Sequence, residues 1–183
     1  MNRQLCALSV LMAFVSLACG RPPAGRSEAE NDATPPSPSA SSATDFPAPS
    51  EGFVITHFLV VSDQDRSRDY YARLFDALVV VERDPVILKV ANTWLILNEG
   101  GGPTDDKPMV TLTTPQDPDT TSAFLNVRVA DIQRAYVEWS AKGAEFLTPP
   151  KDRGAEIRAY IRDPDGHLIE VGQATGILET PDR

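Results

Sequence analysis

Asp163-Pro164-Asp165-Gly166-His167-Leu168-Ile169-Glu170, near the end of the chain, is the stretch on which the architecture turns. Pro164-Asp165-Gly166 suits a three-residue hairpin loop, a type I turn followed by glycine in the left-handed region, so Asp163 pairs with His167. Counting outward from that pair, Tyr160 lies opposite Glu170. The two-residue strand period puts Arg158 and Arg162 on the same face and turns His167 away from it. The flanking strands then run over Ile157 to Arg162 and His167 to Gly172, with a further strand at Ala144 to Leu147. Upstream, Ile132 to Gly143 reads as a helix with Ile132, Ala135, Tyr136 and Trp139 on one face and Gly143 at its end. Before it, Phe124 to Asp131 is a β-rich run closed by an acidic residue.

The same order occurs earlier in the chain. Phe53 to Asp63 is a strand candidate, and Asp63 or Asp65 can cap a helix whose face is Tyr70, Tyr71, Leu74, Phe75 and Leu78. Short strands follow at Leu78 to Glu82, Val86 to Ala91 and Trp94 to Asn98. Asp131 lies 68 residues after Asp63, and Arg134 the same 68 after Arg66 (131 − 63 and 134 − 66). The chain is read as α+β: two tandem βαβββ modules, about 53–98 and 123–173, in one domain over 53–173. Each module is expected to present an open sheet face to the other. Gly100-Gly101-Gly102 lacks the Lys-Ser/Thr of a phosphate loop and reads as a connection between modules. Trp94 and Trp139 are assigned to the core.

The N-terminal segment has a different character. Arg3 is followed by an apolar run from Leu5 to Ala18, broken only by Ser9 and Ser16, and then by Cys19-Gly20. This is a secretory signal pattern, shorter than the ~20 residues of a comfortable membrane span. Val15-Ser16-Leu17-Ala18-Cys19-Gly20 resembles a bacterial lipoprotein box, although Ser16 stands where such boxes usually carry Leu. With 1–19 read as the signal segment, the resemblance implies cleavage at its end, between Ala18 and Cys19, and lipidation of Cys19. The expected location is the cell envelope, anchored to a bacterial membrane by that lipid. Without the lipid the protein would be secreted or periplasmic. Residues 21–52 hold 7 Pro, 6 Ser and 6 Ala and no Val, Ile, Leu, Met, Trp or Tyr. Such a stretch has too little apolar surface to offset the entropy of ordering, so 20–52 reads as a disordered tether. The segment 174–183 reads as a flexible tail.

Charge and cysteine usage narrow the function classes. A formal net charge of −9 repels phosphate backbones, which excludes nucleic acid as an expected partner. Both cysteines, Cys6 and Cys19, precede the folded part, which leaves it without a thiolate site, disulfide or catalytic cysteine.

Two βαβββ modules, each with Val-x-Asp between first strand and helix (Val61-x-Asp63, Val129-x-Asp131), closed by Asp163 to Glu170, resemble the vicinal oxygen chelate superfamily. That is the fold of glyoxalase I, extradiol dioxygenases, and bleomycin- and fosfomycin-resistance proteins. The resemblance spans 53 to 173. It implies a divalent metal held by one ligand from each module's first strand and one from each late strand. The late-strand glutamate matches Glu170, the only position offering a metal ligand, and a weak one by itself. The first-strand positions hold Thr56 and Phe124, and the remaining one falls within Trp94 to Asn98. His57 is one residue off, which sends its side chain to the helix side. The expectation is therefore an incomplete metal site and no cofactor.

The inner face is expected to carry Thr56, Phe58, Val60, Phe124, Asn126, Arg128, Arg158, Tyr160 and Glu170, an apolar pocket with a few polar groups, the usual make-up of a small-molecule site. Glu170 and Tyr160 are the candidate catalytic residues. Arg128, Arg158 and Glu170 could equally form a structural ion-pair cluster. The leading expectation is a binding protein for a small organic molecule. Two alternatives stand beside it: a metal-dependent glyoxalase- or dioxygenase-like lyase or isomerase, and a protein-interaction module with a filled pocket. A homodimer is left open.

Overall fold

The computed structural model describes residues 46–176. The signal segment, Cys19, most of the tether and residues 177–183 lie outside the described residues. The first module runs β1 (His57–Val61), α1 (Gln64–Phe75), β2 (Leu78–Val81), β3 (Val86–Val90) and β4 (Thr93–Glu99). The second runs β5 (Leu125–Arg128), α2 (Ile132–Ala141), β6 (Glu145–Phe146), β7 (Lys151–Asp152), β8 (Glu156–Arg162) and β9 (Leu168–Ala174). Their sheets are ordered β1-β4-β3-β2 and β5-β9-β8-β6, with β7 pairing β8. In each, the first strand pairs in parallel with the last and forms an edge.

The repeated Asp and Arg have a local cause. Asp63 and Asp131 are helix N-caps whose carboxylates accept the backbone N–H of Arg66 and Arg134, each at 3.0 Å. A carboxylate there satisfies one of the amide donors that a helix start leaves unpaired. The hairpin turn also forms. Asp163 N–H donates to His167 O and Gly166 N–H to Asp163 O, both at 3.0 Å, and Gly166 takes φ 90°.

Four details depart from the expected spans. β1 begins at His57, and Phe53 and Ile55 ahead of it are 85% and 79% exposed. β5 is confined to Leu125–Arg128, and β9 continues to Ala174, into the stretch read as a tail. β7 is a two-residue strand that pairing with β8 defines, since periodicity cannot mark so short an element.

The buried core shared by the modules lies on their helix sides rather than between the open sheet faces. The larger apolar cluster joins the helix sides of both modules: Leu59, Tyr71, Leu74, Leu88, Leu95 and Leu97 from the first meet Ala144, Ile161 and Ile169 from the second, and a smaller one of Ile132, Ala159 and Val171 lies within the second. Phe75 and Trp139 meet edge-on at 5.1 Å between the helices. Burying one such aliphatic or aromatic side chain contributes roughly 1.5–3 kcal/mol, so this core holds the modules together through their helix sides. Trp139 packs against this core, whereas Trp94 is half-buried with the Lys89 ammonium 3.4 Å from its ring centre.

Candidate functional site

The open face of the second sheet carries most of the polar candidates. Strand register places Asn126 beside Glu170 and Glu170 beside Tyr160, so three strands contribute one row. Glu170 is 5% exposed, and its two oxygens each have a donor. Asn126 Nδ2 donates to Oε1 and the Tyr160 hydroxyl to Oε2, both at 2.5 Å. A buried carboxylate needs such partners, because desolvation without them costs several kcal/mol. Burial first, and then the neighbouring Glu170 carboxylate, push the Tyr160 phenol above its ordinary value and keep it a donor. Phe124, 44% exposed, lies edge-on to Tyr160 with ring centres 6.4 Å apart.

The next row is cationic. Arg128 and Arg158 both register with Gly172, whose missing side chain lets the Arg128 guanidinium lie across the strand; a Cβ there would run into it. Neither arginine pairs with Glu170, contrary to the expected ion-pair cluster. Their shared partner is Glu156, which accepts from Arg128 Nη1 at 2.7 Å and from Arg158 Nη1 at 3.1 Å. Hydrogen bonding to Arg128 holds the Glu156 carboxyl below the usual carboxylate range despite some desolvation. Sequence reasoning missed Glu156. Its place two residues before Arg158, on the same strand face, was the available signal. Arg162, also on this strand, donates to Asp119 at 2.8 Å and to Pro118 O, tying the inter-module connection to β8.

The first module's counterpart is of another kind. The row equivalent to Asn126–Glu170–Tyr160 is Phe58–Ile96–Ile87. Phe58 is 48% exposed on that face, and Thr56 precedes β1 and is half-buried. His57 sits on the helix side with Leu59, half-buried, in a groove that His167 and Tyr71 also line. Burial, and then the charge of His167, lower the His57 pKa, while His167 Nε2 lies 2.8 Å from Val60 O.

These residues do not fit the divalent ion that the resemblance implies. Glu170 has both oxygens occupied by donors, Phe124 stands at the first-strand position where the resemblance expects a ligand, Ile96 is the first module's counterpart of Glu170, and His57 lies on the opposite face of its sheet. Among the described residues no three or more His, Cys, Asp or Glu side chains come together as a metal site would require.

The model of the Glyoxalase/Bleomycin resistance protein/Dioxygenase superfamily matches residues 54–171. Metallothiol transferase FosB of Shouchella clausii (strain KSM-K16) is 29% identical over 119 residues, 63% of this chain and 75% of that protein. Among solved structures, a glyoxalase/bleomycin resistance protein/dioxygenase from Nocardioides aligns with a TM-score of 0.57 at 18% identity, covering 74% of this chain and 91% of its own. TioX from Micromonospora sp. ML1 aligns at 0.54 and 21% identity, covering 67% of this chain and 99% of its own. Fosfomycin resistance protein FosX from Listeria monocytogenes aligns at 0.51 and 17%, covering 68% and 95%. At these identities the structures report the fold alone, and it is the same fold of two βαβββ modules. With nearly two-thirds of the sequence, residues 54–171, matched by the family model, the chain belongs to the glyoxalase/bleomycin resistance protein/dioxygenase superfamily, the vicinal oxygen chelate proteins.

Proposed function

We propose that this is an envelope-located superfamily member that binds a small organic molecule on the open face around Tyr160 and Glu170, without a complete metal site. The carrying observation is the satisfied row Asn126–Glu170–Tyr160 where a ligating glutamate is expected: the carboxylate is engaged by protein donors rather than turned toward an ion. Phe124 supplies an aromatic wall beside it and Thr56 and Phe58 belong to the apolar side, the mixture on which small-molecule recognition relies. Export and anchoring through Cys19 rest on the pattern of residues 1–20. A homodimer fits the two open faces, since Phe58 and Phe124 are both about half exposed and a second copy could cover them.

A second reading has one observation in its favour, the 29% identity to a metallothiol transferase. It holds that the protein is an enzyme that takes up a divalent metal, a lyase, isomerase or related member using Glu170 and Tyr160. A ligand screen by thermal shift, with and without chelator, together with elemental analysis of untagged protein, separates the two. Hits that persist in chelator support the first reading. Stoichiometric metal, with every hit lost on chelation, replaces it with the second.

A further inference from the structure

We infer that the row beyond Glu170 is an anion subsite, and that the small molecule bound by this face is an organic anion whose charged group displaces Glu156 from Arg128 and Arg158. The inference rests on the small-molecule reading above and deepens it to a ligand class. A cleft of about 530 Å³ opens on the polar sheet, and Arg128, Arg153, Glu156 and Arg158 line it. Two guanidinium groups thus share one carboxylate and a third arginine lines the same cleft, in a chain whose net charge is −9. Such a local reversal of sign is where an anion concentrates on an otherwise repelling surface.

The cluster is built rather than incidental. Arg128 and Arg158 come from different strands and meet across Gly172, the one position on β9 where Arg128 has room to lie flat. Glu156 bridges them with one oxygen each, the geometry that a carboxylate, phosphate or phosphonate of a ligand would reproduce. The Arg158 Nε–H is buried without an acceptor, a donor that this arrangement leaves unused. Glu156 is thus an internal occupant that keeps the guanidinium groups paired until a ligand anion replaces it.

Strand geometry gives the ligand a length. Alternate residues on one face are roughly 6.5–7 Å apart, so Phe124, the Asn126–Glu170–Tyr160 row and the Arg128–Arg158 row form three steps of a ladder. The first step is aromatic, the second hydrogen-bonding, the third cationic. The Tyr160 hydroxyl gives its proton to Glu170 and keeps a lone pair free to accept. A matching molecule carries a hydroxyl or N–H about 7 Å from its anionic group, and hydrocarbon beyond.

The test uses the full-length chain and inorganic phosphate titrated calorimetrically, with ionic strength held constant by chloride so that general screening does not change. Saturable binding is expected. Arg128→Lys and Arg158→Lys keep the charge but lose the planar fork, and each should weaken binding roughly tenfold or more. Glu156→Gln removes the competing carboxylate and should tighten it. Gly172→Ala, which displaces Arg128 without altering charge, should weaken it. Melting temperatures without phosphate establish that each variant is folded. Equal phosphate binding by the wild type and both lysine variants would overturn the subsite, because a diffuse counter-ion effect needs charge and not geometry. Failure here is separable from failure of the small-molecule reading. If phosphate does not bind but organic hits bind more weakly to Tyr160→Phe than to the wild type, only the anion subsite falls. Arginine-dependent phosphate binding with no organic hit at all keeps the subsite and rejects the other.

Discussion

Arg66 and Asp165, 99 residues apart, form an ion pair of 2.7 Å that fastens the hairpin turn of the second module to the first helix of the first. The Asp165 side chain is 4% exposed and also accepts from Ser62 N–H at 3.1 Å, Ser62 Oγ at 2.6 Å and Ser67 Oγ at 3.1 Å. The adjacent Asp163 carboxylate accepts from the buried Tyr71 hydroxyl at 2.8 Å. The turn that closes the repeat is therefore also the clasp between its two halves.

Asp165→Asn should destabilise the protein by about 1–3 kcal/mol near neutral pH, the range for losing charge-assisted hydrogen bonds at a buried acceptor. Burial alone would raise the Asp165 pKa, but the hydrogen bonds from Ser62, Arg66 and Ser67 outweigh it and hold the pKa below the ordinary value. A depressed carboxylate stabilises fully above its unfolded pKa of about 3.9 and loses that contribution as pH falls through the lower folded value. Urea denaturation from pH 7 to pH 3 should show the two proteins converging at the acid end. A constant gap would remove the Asp165 charge from the account.

The shared core predicts one cooperative unit. Leu74 is 1% exposed and belongs to the cluster that Ala144, Ile161 and Ile169 complete, so Leu74→Ala should cost about 2–5 kcal/mol and loosen both modules together. The variants Trp94→Phe and Trp139→Phe each leave one tryptophan, reporting on the second and first modules respectively. Their fluorescence transitions in urea should coincide. Separate midpoints, or a stable fragment 53–103, would show independent modules.

What the sequence could and could not carry follows from the range of each interaction. Tyr160 opposite Glu170 was legible because a three-residue loop fixes the register of the strands on either side. Asp63 and Asp131 were legible as caps because the bonds they form reach only three residues along the chain. The Asn126 hydrogen bond to Glu170 spans 44 residues and depends on parallel pairing of β5 with β9, which no local pattern sets. The placement of the modules was misread for a related reason. Alternation marks which side of a strand is apolar, and in this chain both sides are partly so, with Leu59 and Leu97 on one and Phe58 and Ile96 on the other. Only packing decides which side a second module covers.

Export and lipidation are expected to make Cys19 the first residue of the mature protein. The apolar run ending at Ala18-Cys19 is the motivation, and an exposed free thiol would otherwise be a liability outside the cell. Growth of the native cell with a palmitate analogue should label the wild type and leave Cys19→Ser unlabelled, with that variant released from the membrane fraction. Equal labelling of both proteins would end the lipoprotein assignment.

The Tyr160–Glu170 pair makes the most direct prediction about the site. Tyr160→Phe takes from Glu170 Oε2 its donor among the described residues and leaves a 5%-exposed carboxylate half satisfied, which should cost about 1–3 kcal/mol. Glu170→Gln should cost less, about 1 kcal/mol, because the amide oxygen can still accept from Tyr160 or Asn126 while its NH₂ faces the other. The double variant should be less destabilised than the sum, since once the carboxylate is gone the hydroxyl has lost its partner. The same substitutions should weaken binding of any hit without abolishing it, for the aromatic wall and the neighbouring arginines remain. A metal-holding glutamate behaves differently: Glu170→Gln would then eliminate activity and metal together, and chelation would reproduce the variant in the wild type. Equilibrium unfolding of the four proteins, followed by titration of one hit with and without chelator, therefore tells a hydrogen-bonded carboxylate from a ligating one.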